Sequence, residues 1–93
     1  MNRLQQEFTM NQKIKVNSKF GANLRQLRKK NHLTQEQVVA KLQLLDLDIS
    51  RSAYAQIECG TYNIRVTELV ALKHIFQATY DDFFKDISAE KTS

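Results

Sequence analysis

Along this chain, side chains that suit the position just before a helix recur ahead of apolar residues at helical spacing. This punctuation limits the fold to helices packed on helices. Ser18 precedes Phe20, Leu24 and Leu27, which follow the i, i+4, i+7 rule, while Arg25, Gln26, Lys29 and Lys30 fall on other faces. The first helix is therefore expected over about Ser18 to Asn31. Thr34 with Gln37 three residues on has the capping-box arrangement, so a second helix starts at Gln35 and turns Val38, Val39 and Leu42 to the core. Ser50 caps a short third helix that Gly60 closes, since glycine adopts a left-handed conformation at least cost. Leu69, Leu72, Ile75 and Phe76 place a fourth helix whose cap is Asn63 or Thr67. Thr79 caps a fifth, "YDDFFKDI", with Asp81 and Asp82 in the first turn, where carboxylates suit the positive end of the helix dipole. The chain has no proline, two glycines and no long alternating run, so no strand is expected and the class is all-α.

Ninety-three residues suit one compact domain. Residues 1–17 are polar and lack sustained periodicity, which reads as a flexible N-terminal arm. The domain is expected over 18–87, and 88–93 form a polar tail expected to fray. No apolar run approaches the roughly 18 residues of a membrane span and no secretory signal is evident, so the expected location is the cytoplasm, with no membrane partner. A single cysteine, Cys59, leaves no internal disulfide and no thiolate metal site; it reads as a plain packing residue. His32 and His74 have no partner at metal-ligand spacing, and the acids Asp46, Asp48, Asp81, Asp82 and Asp86 lack the glycine and glutamate of a calcium loop. No metal, cofactor or enzymatic activity is expected. The net charge of +4 is concentrated in residues 1–65, which carry 11 basic and 5 acidic groups against 3 and 5 in the remainder. Such a field attracts polyanions, though Arg25, Lys29 and Lys30 taken alone read as an ordinary solvated face, and only their context brings a binding role level with it.

The third helix is short yet polar at its N-terminal end. Ser50, Arg51 and Ser52 open it and Gln56 follows Ser52 by one turn, while Tyr54 and Ile57 share the opposite face. A helix ending, a connection and a short polar-faced helix closed by glycine form the layout of a helix-turn-helix, whose second helix enters the DNA major groove. Arg, Ser and Gln side chains can read the donors and acceptors that bases present there. Gln35, at the start of the preceding helix, can offer its amide and nearby backbone N–H groups to a phosphate oxygen.

The segments "FGANLRQLRKKNHLTQEQVVAKL", "SRSAYAQIECG" and "ELVALKHIFQATYDDFF" resemble the phage repressor and Cro-type helix-turn-helix family of XRE-like transcriptional regulators over about residues 19 to 85. The resemblance implies a five-helix, lambda-repressor-like domain that binds double-stranded DNA as a symmetric homodimer and represses or activates transcription. It implies base contacts from Arg51, Ser52 and Gln56 with Ser50 beside them, phosphate contact from Gln35, and an ion pair between Arg28 and Glu58. The chain departs from the common pattern in a longer link, "QLLDLDI": either the second helix gains a turn, or the loop bulges outward with Ile49 as its anchor. The loop "TYNIR" is a further candidate for phosphate contact through Tyr62, Asn63 or Arg65. Phe76, Tyr80, Phe83 and Phe84 serve either the core or a dimer contact. A second reading makes the chain an interaction module, an antitoxin or anti-repressor whose main ligand is a regulatory protein partner.

Overall fold

The computed structural model describes residues 13–89, and its elements follow in the order β1 (Lys13–Ile14), α1 (Ser18–Lys30), α2 (Gln35–Leu44), α3 (Arg51–Glu58), β2 (Ile64–Arg65), α4 (Val66–Ile75) and α5 (Tyr80–Phe83). Residues 1–12 of the expected arm and 90–93 of the expected tail lie outside the described residues.

Five helices form where the capping pattern placed them, with three adjustments. The cap of α1 is Asn17, whose Oδ1 accepts from Phe20 N at 2.8 Å, one residue ahead of the expected Ser18. The start of α4 is fixed from inside the helix: the Glu68 carboxylate accepts from Arg65 N at 2.8 Å, so neither Asn63 nor Thr67 caps it. The last helix stops at Phe83 because the side-chain amide of Asn23, buried in α1, donates to the carbonyls of Phe83 and Lys85, both at 2.9 Å. A distant side chain thus claims carbonyls that further helical turns would have used.

The chain is not wholly helical. Lys13 and Ile14 pair antiparallel with Arg65 and Ile64 in a two-stranded ladder, and Val16 behind it is buried. Part of the segment expected to be a flexible arm, from Lys13 on, is therefore packed. The cause is visible in "KIKV": Ile14 and Val16 alternate with two lysines, the period of a half-buried strand.

The core joins Phe20 and Leu24 of α1, Val38, Val39 and Leu42 of α2, Tyr54 and Ile57 of α3, and Leu69 and Leu72 of α4. Phe76 and Phe83 are buried with them, whereas Tyr80 and Phe84 remain 44% and 42% exposed; the aromatic cluster divides between core and surface. Phe20 packs against the rings of both Phe83 and Phe84, which fastens α5 to α1. Two glycines allow close approach. Gly21 of α1 lies against the backbone of Ile57 and Glu58, and Gly60, at φ +79°, lies against the backbone of Asn17 and Ser18. Together they hold α1 flush against the end of α3.

The long connection uses both expected devices. α2 extends to Leu44 and closes through Asp46 in the left-handed region at φ +61°, with Leu47 N bonded to Leu42 O at 3.0 Å and Asp46 N to Gln43 O at 3.0 Å. Ile49 is then buried as an anchor, which returns the chain to Ser50. The excess length is spent away from the core, leaving Leu44 84% exposed.

Candidate nucleic-acid interface

Ser50 starts α3 by accepting from Ala53 N at 3.0 Å, satisfying one of the free backbone donors of the first turn. The burial of Tyr54 and Ile57 fixes the roll of the helix, and Arg51, Ser52 and Gln56 consequently emerge exposed. The three side chains in the expected base-contacting positions are uncovered by the protein's own chain. At its far end the helix closes through Thr61 N, bonded to Gln56 O at 2.9 Å, and the positive φ of Gly60.

Beneath this face lies a junction of three helices. Arg28 Nε donates to Glu58 Oε2 at 2.7 Å and its second guanidinium nitrogen donates to Oε1 at 3.0 Å, a bidentate pair that ties α1 to α3. A third guanidinium hydrogen bond goes to the Leu33 carbonyl at 3.0 Å, locking the turn before α2. The side chains are only 11% and 3% exposed, so the pair is largely shielded from water. Burial pushes the Glu58 carboxyl up, but the hydrogen bonds from Arg28 and Gln35 outweigh it and hold the group below its ordinary range. Burial, with the Glu58 charge adding to it, holds the Tyr54 hydroxyl protonated far above the usual phenol range. That hydroxyl is fully buried and makes no hydrogen bond of its own.

Gln35 completes the junction. Its Nε2 donates to Glu58 Oε1 at 3.1 Å, which fixes the amide and leaves a second amide hydrogen available. Gln35, Arg51, Ser52 and Ala55 line one depression, so the expected phosphate ligand and two expected base readers share a surface. The Arg51 guanidinium lies 3.7 Å from Glu36 across the two helices. With side-chain exposures of 62% and 74%, that pair is solvated and holds the arginine only weakly.

The loop residues Tyr62, Asn63 and Arg65 are exposed. Tyr62 and Arg65 line a second depression with Ser50 and Ala53, while Asn63 lines neither depression. The sequence reading missed Lys13, which shares this second depression and sits over the Tyr62 ring. Cys59, expected to pack, is exposed at the C-cap of α3. Among the described residues no group of three histidines, cysteines or acids could hold a metal ion, and no helix is long and apolar enough to cross a membrane.

A family model described as a helix-turn-helix domain matches residues 19–82. Among solved structures the chain is similar to the restriction-modification controller protein C.AhdI from Aeromonas hydrophila, with a TM-score of 0.62 and 25% identity over 72% of this chain and 94% of that one. No curated protein matches.

Proposed function

Since the chain belongs to the helix-turn-helix domain family, we propose that it is a sequence-specific regulator of transcription that sets α3 in the major groove of double-stranded DNA. The observation that carries this reading is the exposure of Arg51, Ser52 and Gln56 on a helix whose opposite face is wholly buried. Arg51, Ser52 and Gln56 read base edges. Gln35, held by Glu58, donates its remaining amide hydrogen to a phosphate oxygen, and Ser50, Tyr62, Asn63 and Arg65 approach the backbone from the other side. The similar solved protein is a restriction-modification controller, which supports a control role rather than the interaction module considered from sequence. The regulator works in the cytoplasm as a symmetric homodimer on two half-sites about one helical turn apart. Tyr80 and Phe84, left exposed by the core, offer apolar area for contact between copies.

Competitive selection of bound fragments from random duplexes, followed by titration, tests the reading. Gln56→Ala is expected to change which sequences are preferred, because a base contact carries sequence information. Gln35→Ala is expected to weaken all duplexes about equally. A uniform loss for Gln56→Ala would remove it from the base-reading set. Affinity is expected to fall steeply with salt as counterions are released from the neutralised phosphates; a flat response would instead favour a protein ligand.

A further inference from the structure

The β1–β2 ladder brings together side chains that are remote in sequence. Its register sets Lys13 directly opposite Arg65, so two cations leave the same face of an antiparallel pair. Like charges in that relation repel, and a short ladder gains nothing from them internally. The Lys13 ammonium lies 5.1 Å from the centre of the Tyr62 ring, within cation–π range, which restrains an otherwise flexible side chain. Lys13, Tyr62 and Arg65 form one wall of a depression of about 300 Å³, and Ser50 and Ala53 from the first turn of α3 form another. Two acids share the depression. Glu68 is buried and occupied with Arg65 N, whereas Asp48 is exposed.

A helix lying in the major groove has a sugar–phosphate strand on each flank. Gln35 lies on one flank of α3, sharing its depression with Arg51, Ser52 and Ala55; the ladder lies on the other. We infer that Lys13, paired with Arg65 and steadied by Tyr62, is a DNA-backbone contact, and that the ladder exists to bring this N-terminal lysine to the phosphates beyond the flank opposite Gln35. The inference rests on the duplex-binding reading above. A phosphate between Lys13 and Arg65 relieves the repulsion between the two cations, and the cation–π contact lowers the ordering cost of binding. Asp48 opposes the same phosphate.

The test is the slope of log affinity against log salt for the full chain on its selected duplex. Lys13→Gln is expected to weaken every duplex alike, keep the sequence preference and lower the magnitude of the slope by about one. Lys13→Arg, which keeps the charge, is expected to retain the wild-type slope, and Asp48→Asn is expected to tighten binding to all duplexes. A Lys13→Gln slope equal to wild type overturns the assignment, as does a changed sequence preference. An equal loss of slope in Lys13→Gln and Lys13→Arg also overturns it, since the ladder rather than the charge would then be responsible. A wild-type protein with no salt-dependent duplex binding brings down the regulator reading itself. A normal wild-type slope with an unaffected Lys13→Gln brings down this inference alone.

Discussion

Glu58→Ala is expected to destabilise the domain by about 3 to 5 kcal/mol, measured as the fall in unfolding free energy from urea titration at neutral pH. The magnitude follows from what is left behind. Arg28, only 11% exposed, loses both carboxylate bonds and remains charged away from water. A loss below about 1 kcal/mol, the range of solvated pairs, would show that the guanidinium reaches solvent when released. The same carboxylate gives stability a pH dependence whose sign is fixed. Its folded value lies below the ordinary 4.5, so its contribution is fully present above about pH 4.5 and is lost as the pH falls through the folded value. Asp82 is depressed in the same direction by the Thr79 backbone N–H, so wild type alone does not isolate the effect. Glu58→Gln cannot titrate at this position and is expected to lose less stability than wild type as the pH falls from about 4.5 through the folded value of Glu58. Parallel curves would remove Glu58 from the acid response.

Gly21→Ala is expected to destabilise by about 3 kcal/mol, despite lying within a helix where alanine is ordinarily the better residue by about 1 kcal/mol. The added methyl would fall onto the carbonyl oxygen of Glu58 and within 2.8 Å of that of Ile57. Both obstacles are backbone, and Glu58 is pinned from its other end by Arg28, so α1 must lift away from α3 to make room. Thermal unfolding followed by circular dichroism checks the sign. A rise in midpoint would mean that the helix–helix spacing yields and propensity wins.

The sequence made the helices legible because their caps are local. Thr34 with Gln37, Ser50 and Thr79 accept or return hydrogen bonds within three residues, and Gly60 has the positive φ that its position after α3 suggested. The misplaced boundaries were those decided elsewhere in the chain. α5 is cut short by Asn23, and α4 begins where Glu68 reaches back rather than where a hydroxyl or amide precedes it. The face of α3 was readable from spacing alone, since Tyr54 and Ile57 fix its roll. Lys13 was not, although the alternation of "KIKV" hinted at a strand, because four residues say nothing of their partner. The register with Ile64 and Arg65 is a long-range fact.

The junction at Glu58 also constrains how such a domain can be altered. Exchanging a buried ionic cluster for apolar side chains of similar volume often leaves a protein as stable or more so. Here the exchange would remove the anchor of Gln35, the side chain proposed above to meet a phosphate. Selection for heat resistance and selection for operator grip therefore act on one carboxylate in opposite directions, a trade-off written into a single side chain.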